Sequence, residues 1–124
     1  MASNDLSSLG DNYVFLRGRL AAAPVIRRLP SGDELCTFRL TIQRPAGHRA
    51  RVDSIDCCTT RLRVRTSLER GEPGDQFEVT GSVHRRFWRS LAGPVSRYEV
   101  EVISARISAH RQSDASRARR RASG

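Results

Sequence analysis

The chain has 124 residues, the size of a single domain, and a formal net charge of +9 because 22 basic residues stand against 13 acidic ones. All 22 basic residues are Arg, whose planar guanidinium group binds phosphate and stacks on flat rings. No apolar run approaches the ~18 residues of a membrane span, and MASNDLSSLGDN lacks the basic start and apolar core of a secretory signal. We therefore expect neither a membrane protein nor a secreted one.

The excess positive charge is confined to three stretches of the sequence. Residues 44–51 carry +3, residues 85–97 carry +4 and residues 111–124 carry +4, whereas the remainder carries −2. A run of charge is usually a solvated surface, but segregation this complete favours a polyanionic partner.

Residues 1–11 are polar and are predicted to be flexible. The first strand is predicted at YVFLRGRL, residues 13–20, where two faces alternate. One face carries Tyr13, Phe15, Arg17 and Arg19. Aromatic rings alternating with guanidinium groups suit either a nucleic-acid surface or a subunit contact. The turn cluster LPSGDE leads to the second strand, LCTFRLTI, residues 35–42, which has Arg39 on its polar face.

The third strand is predicted at VDSIDCCT, residues 52–59, and its imperfect alternation predicts a β-bulge. It contains Cys57 and Cys58, which with Cys36 make three cysteines without C-x-x-C spacing. This pattern favours buried thiols in an intracellular protein over disulfides or a zinc site. Residues 61–70 are the one good helix candidate, capped by Thr59 or Thr60 and ended by a Gly and a Pro.

The fourth strand is predicted at FEVTGSVH, residues 77–84, and its outward parity continues through His84 to Arg86 and Trp88. The fifth strand is predicted at residues 97–107, with a break near Val102–Ile103. It is expected to bury Tyr98, Val100 and Val102 and to expose Glu99 and Glu101.

This order of elements predicts an all-β fold, a five-stranded OB barrel with one short helix between the third and fourth strands. The barrel is expected to span residues 12–110. Residues 111–124, RQSDASRARRRASG, have no core-forming residues and are predicted to be a disordered, Arg-rich tail.

Several segments follow one another in an informative order. They are NYVFLRGRLAAAPVIRRLPSG, an opening strand with its hairpin, then FRLTI, then LERG at the helix end, then FEVTGSV followed by RRFW. In this order the chain, from about Asn12 to Ile107, resembles bacterial single-stranded DNA-binding proteins. The resemblance implies an OB barrel that forms a homotetramer or homodimer in the nucleoid region of the cytoplasm. It also implies binding of single-stranded DNA in replication, recombination and repair.

Two departures from that family pattern point to a short paralogue. Relatives end in an acidic tip that recruits other proteins, whereas this sequence ends RARRRASG, so recruitment through such a tip is not expected. Relatives also carry several stacking aromatic residues, of which Trp88 alone is clearly matched. Arg44, Pro45, Val52 and Thr59 stand where an aromatic residue is expected.

Candidate DNA-binding residues cluster around Trp88 in HRRFWR. The cluster comprises His84, Arg85, Arg86, Phe87, Trp88 and Arg89. Arg44, Arg49 and Arg51 are expected to line the loop between the second and third strands. The strand residues Arg17, Arg19 and Arg39 are expected either to contact phosphate or to pair with Glu78, Glu99 or Glu101. Arg–phosphate contacts and base stacking together suffice for binding without sequence selection.

Catalysis has little support in the sequence. Asp53 and Asp56 do not share a strand face, the histidines have no ligand spacing, and no nucleophile or phosphate-loop motif occurs, so we expect no enzyme, metal or cofactor. Two alternatives to DNA binding remain. One is an RNA-binding OB module, and the other is an interaction subunit resembling primosomal replication proteins.

Overall fold

The computed structural model describes residues 9–47 and 51–111 of the chain. The elements in chain order are β1 Val14–Leu20, β2 Val25–Arg28, β3 Glu34–Gln43, β4 Val52–Thr59, α1 Leu62–Glu69, β5 Gln76–Ser90 and β6 Gly93–Ala109. The predicted flexible segment and the predicted tail lie almost wholly outside the described residues.

The strands close into a barrel. Their order is β1-β5-β6-β4-β3-β2, and β1 also pairs with β3 through Arg19 and Leu20, which joins the two ends of the sheet. All the pairs are antiparallel except β4 with β6. The predicted OB barrel with a helix after its third barrel strand is confirmed. The short β2, within a stretch we expected to be a connecting hairpin loop, pairs only with β3.

The helix closes one end of the barrel. Val64 and Leu68 are buried on its inner face and join a cluster with Leu20 and Phe77. The predicted alternation of β1 is confirmed, since Leu20 is buried while the arginines between the apolar positions are exposed. Complete burial of an apolar side chain of this size contributes about 1.5–3 kcal/mol, so these contacts hold the helix against the barrel.

The bulge predicted in the third strand is wrong. β4 pairs with β3 in an unbroken register from Val52 opposite Gln43 to Thr59 opposite Cys36. The alternation is lost because the end of β4 is buried on both faces. Cys57 points into the barrel core, while Cys58 is covered by β6 and lies beside the carboxyl group of Glu99.

The irregularity lies instead between β5 and β6. Thr80 is opposite Ser104 whereas Gly81 is opposite Val102, so Ile103 is the extra residue of a bulge. The predicted break near Val102–Ile103 is therefore confirmed. Gly81 allows the strands to approach there, because a Cβ atom at this position would lie 2.0 Å from the carbonyl oxygen of Glu101.

Beyond the bulge, β5 and β6 continue past the rim of the barrel as a two-stranded arm, residues 84–99. Pairing runs without a shift from His84 opposite Glu99 to Ser90 opposite Gly93. Two burial predictions fail here: Tyr98 is 64% exposed, whereas Glu99 is 9% exposed. Tyr98 does share the parity of buried Val100, but it lies beyond the rim, where no core covers it. Glu99 faces the barrel wall and is covered by its neighbours.

A buried carboxylate ties the start of β5 to the end of β6. Asp75 is 4% exposed, and its side chain accepts the backbone N–H of Glu72 at 2.8 Å and that of Arg111 at 2.5 Å. The Nδ1 atom of His110 lies 3.5 Å from the same carboxylate. Although burial raises the pKa of Asp75, the two amide groups and the His110 ring together hold the pKa below its ordinary value.

This pKa shift predicts a contribution to acid stability. Because the folded-state pKa is below the unfolded value of about 3.9, the stabilisation is complete above that pH and is lost as pH falls through the folded-state pKa. Urea unfolding measures the free energy of unfolding at pH 6 and at pH 3. Between these two pH values, this free energy should fall more for the unsubstituted protein than for Asp75→Asn. The variant should be less stable by about 1–3 kcal/mol at pH 6. Asp33→Asn, in an exposed turn, is the matched control, and an unchanged pH dependence in Asp75→Asn would contradict the assignment.

Candidate nucleic-acid interface

An open groove lies on the barrel wall between the segment after β1 and the arm. Its volume is about 330 Å³. One side is formed by Ala21, Ala22, Ala23, Val25 and Arg27, the floor by Thr37, Phe38, Arg39, Asp56 and Cys57, and the other side by Arg86, Arg97 and Glu99. We call this site the groove. In OB barrels, the strands and the two flanking loops at this position hold the ligand.

The charges of the groove are partly paired. Asp56 accepts from Arg39 Nε at 3.0 Å and lies 3.4 Å from Arg97 Nη1, and Glu99 Oε1 lies 3.5 Å from Arg86 Nη1. Arg27 has no acidic partner among residues 9–47 and 51–111. Four guanidinium groups against two carboxylates leave the groove with a charge of +2.

Trp88 lies where the groove opens toward the tip of the arm. A second depression of about 550 Å³ continues there between the turn after β2 and the face of the arm, and Arg27, Arg86 and Arg97 line it together with Trp88. The Trp88 side chain is 41% exposed, and the Arg97 guanidinium carbon lies 5.3 Å from its ring centroid. The ring is therefore a surface group beside cations and not part of the core.

The opposite face of the arm carries a second aromatic group. Phe87 is 70% exposed, and the Arg85 guanidinium carbon lies 5.0 Å from the Phe87 ring and 5.6 Å from the Tyr98 ring. Arg85 is held in place by a bond from Nη2 to the Ser96 hydroxyl at 3.0 Å. Two exposed rings and a guanidinium plane thus form one platform.

Sequence reasoning omitted Arg27, Arg97 and Tyr98 from the candidate site. Arg97 lies in the basic stretch and is directly opposite Arg86 across the hairpin, so the predicted pairing of the two strands could have found it. Tyr98 shares strand parity with Val100, and this parity alone predicts a core position for it. Arg27 had no signal in the sequence, because only the closed barrel brings the β2 hairpin beside the arm.

The loop residues Arg44 and Arg51 do not line the groove. Arg44 donates from Nη2 at 2.6 Å and from Nε at 3.0 Å to one oxygen of Asp53, Oδ1, and this hydrogen bonding raises the pKa of Arg44. Arg51 is exposed at the start of β4, where its carbonyl accepts the N–H of Arg44. Arg49 lies outside the described residues.

Of Arg17, Arg19 and Arg39, only Arg39 reaches the groove. Arg17 Nε donates to Glu78 at 2.8 Å, and Arg106 pairs with the same carboxylate, so the pKa of Glu78 is lowered mainly by its bond from Arg17. Arg19 Nη1 donates to the carbonyl of Gly74 at 2.8 Å. Of the two alternatives predicted for Arg17, the structure shows a pair with Glu78.

Two further members of the predicted cluster lie outside the groove lining. His84 Nε2 is 2.8 Å from the Ser82 hydroxyl and 3.7 Å from Glu101, and Arg89 is exposed near the tip of the arm.

Within residues 9–47 and 51–111, no group of His, Cys, Asp and Glu could hold a metal ion. No helix in that part of the chain is long and apolar enough to cross a membrane.

A basic groove on the wall of an OB barrel, with aromatic rings beside it, defines an oligonucleotide-binding type of fold and site. Comparison with protein families identifies it further: the model of the "Single-strand binding protein family" matches residues 11–110. The chain belongs to this family. Membership also confirms that it is a binding protein and not an enzyme.

A solved structure has the same fold. The chain is similar to a structure described as "Plasmodium falciparum SSB complex with ssDNA", with a TM-score of 0.67 and 22% sequence identity, covering 77% of this chain and 93% of that one. A search of curated proteins gave no match.

The cysteines next to the groove are chemically protected. Desolvation by burial, with the carboxyl group of Glu99 nearby, raises the pKa of both Cys57 and Cys58 to about 12, and burial also raises the pKa of Cys36. The nucleophilic thiolate is therefore scarce at neutral pH.

We expect none of the three thiols to react with an aromatic disulfide reagent in the folded protein at pH 8, and all three to react in denaturant. Leu91→Cys, at the exposed tip of the arm, is the control and should react at once. Rapid labelling of Cys58 in the native state would show that β6 does not cover β4 as described.

Proposed function

We propose that this protein binds single-stranded DNA without sequence selection and protects it during replication, recombination and repair, within the nucleoid region of the cytoplasm. The proposal is supported most directly by the position of Trp88, which is exposed at the end of a groove lined by four arginines. Membership of the single-strand binding protein family favours the same function. The binding unit we propose is the barrel with its arm, residues 12–110.

Phosphates and bases are expected to meet different parts of the surface. We propose that Arg27, Arg39, Arg86 and Arg97 contact phosphates along the groove, while bases stack on Trp88. The Arg85–Phe87–Tyr98 platform offers a further stacking surface, with Arg89 beside it. Stacking is available to every base, which explains binding without sequence selection.

The remaining predicted arginines are expected to act at longer range. Arg44 and Arg51 lie on the β3–β4 hairpin, and Arg49 belongs to the same loop. Together with residues 111–124 they would add attraction to phosphates that weakens as salt rises.

The first experiment replaces Trp88 by Ala. Because stacking on an aromatic ring contributes about 1–3 kcal/mol per base, Trp88→Ala should bind labelled oligo-dT more weakly by the corresponding factor while keeping its unfolding midpoint. Because the variant lacks the only Trp, its binding cannot be followed by Trp emission. Fluorescence anisotropy of the labelled oligonucleotide therefore measures the affinity of both proteins. Leu91→Ala, at the arm tip, is the control and should bind normally.

Four outcomes would contradict the proposal in different ways. Equal binding by Trp88→Ala would remove the ring from the site, and loss of its fold would place the ring in the core. Binding of oligo-U with oligo-dT ignored would favour the RNA-binding alternative. Equal competition by duplex DNA would reduce the activity to general polyanion binding.

We also propose that the protein is a homo-oligomer, a dimer or a tetramer. Within residues 9–47 and 51–111, β1 pairs with β3 only at Arg19 and Leu20, so on that side no other strand of this part of the chain pairs with the first residues of β1. Here Phe15 is 47% exposed and Tyr13 is 51% exposed. An edge strand with exposed aromatic rings invites pairing with another copy.

Phe15→Glu should therefore lower the mass in solution to that of the 13.9 kDa chain, because it places charge in the contact. Light scattering of the unsubstituted protein should give two or four times that mass. Leu62→Glu, at an exposed apolar site on α1, should leave the mass unchanged. A monomeric unsubstituted protein would refute the proposal.

A further inference from the structure

One carboxylate in the groove connects the barrel wall to the arm. Asp56 of β4 is held from both sides, by Arg39 of β3 at 3.0 Å and by Arg97 of β6 at 3.4 Å. Arg97 is directly opposite Arg86 in the hairpin, so the arm places two like charges side by side. Asp56 and Glu99 offset this repulsion by holding one guanidinium group each.

The same contact controls access to Trp88. The Arg97 guanidinium that pairs with Asp56 also lies 5.3 Å from the centroid of the Trp88 ring. A base that stacks on this side of the ring must move the guanidinium aside, and Arg97 can move only if its contact with Asp56 is loosened. Ring, guanidinium and carboxylate are therefore one connected unit.

We propose that Asp56 takes, in the free protein, the position that a DNA phosphate takes in the complex. This inference rests on the proposed function. As single-stranded DNA enters the groove, a phosphate replaces the Asp56 carboxylate on Arg39 and Arg97. Arg97 then moves away from the Trp88 ring, and a base stacks there. Asp56 is thus a positioning residue that competes with the ligand, so that a polyanion without bases gains too little to displace it.

The second carboxylate of the groove cannot exchange in the same way. The Glu99 side chain is 9% exposed, packs beside the Cys58 thiol and lies beneath Arg86. The Asp56 side chain is 30% exposed. Only Asp56 is open to solvent on the side from which a phosphate approaches, so exchange is confined to Arg39 and Arg97.

The test compares Asp56→Asn with the unsubstituted protein and with Glu69→Gln. Glu69 is an exposed carboxylate on α1 that pairs with Arg65 at 3.1 Å, so its removal changes the net charge equally, far from the groove. Binding of labelled oligo-dT is measured by anisotropy over a range of salt concentrations. Acrylamide quenching of Trp88 emission in the free proteins reports how well the ring is covered.

Asp56→Asn should bind oligo-dT about two- to fivefold more tightly at ~0.15 M salt, the gain expected from removing one partly exposed ion pair that opposes binding. The slope of log affinity against log salt should stay the same, because the same phosphate contacts form in both complexes and only the competing carboxylate is lost. Acrylamide should quench Trp88 more strongly in this variant. Glu69→Gln should match the unsubstituted protein in all three measurements.

Equal or weaker binding by Asp56→Asn would overturn the exchange and leave the proposed function standing. An equal gain in Glu69→Gln would also overturn it, because the effect would then be net charge alone. If the unsubstituted protein fails to bind oligo-dT, the proposed function falls and the exchange falls with it. Unchanged acrylamide quenching would refute the link between Asp56 and the cover on Trp88.

Discussion

The pairing of β5 with β6 is the constraint on which the rest of the structure depends. These two strands contribute Phe77, Val79, Val100 and Val102 to the core and continue beyond the rim of the barrel as the arm. The bulge at Ile103, allowed by the close approach at Gly81, lets Val102 and Ile103 both be buried at the rim. Without this bulge, the apolar residues of β6 would stay on one face of the strand from the barrel into the arm.

The arm in turn determines where the charge of the molecule becomes useful. The outer face of β1 is basic in sequence, but its arginines are occupied by Glu78 and by the carbonyl of Gly74. In the groove, by contrast, more guanidinium groups than carboxylates converge, because the arm brings Arg86 and Arg97 to face Arg27 and Arg39. The net charge of the whole chain therefore does not locate the basic site. The closed barrel determines which guanidinium groups are already paired and which are not.

The fold could be predicted from the sequence because short alternating strands, one helix and turn residues all specify the same barrel. Burial at the rim could not be predicted, because strand parity gives the face on which a side chain lies but not how far the core extends along the strand. For that reason parity predicts a buried Tyr98 and an exposed Glu99, whereas the structure has the opposite. In β4 the alternation fails for the opposite reason, because Cys58 is covered by another strand.

The site was predictable only where it is local in sequence. HRRFWR is a continuous cluster, so Trp88 and its neighbours could be identified from the sequence alone. The other half of the groove comes from Arg27 and Asp56, which are distant in sequence and are joined only by the closure of β2, β3 and β4 beside the arm. Acidic residues in a basic groove are also invisible to any search for positive charge.

The exclusive use of Arg has a structural consequence in the arm. Each of its three rings, Phe87, Trp88 and Tyr98, has a guanidinium carbon between 5.0 and 5.6 Å from its centroid. An ammonium group could supply the charge but not the flat surface, so Lys at positions 85 and 97 would leave the rings without a planar neighbour. The free arm is thus ordered by charge pairing with Asp56 and Glu99 and by contacts between guanidinium groups and rings.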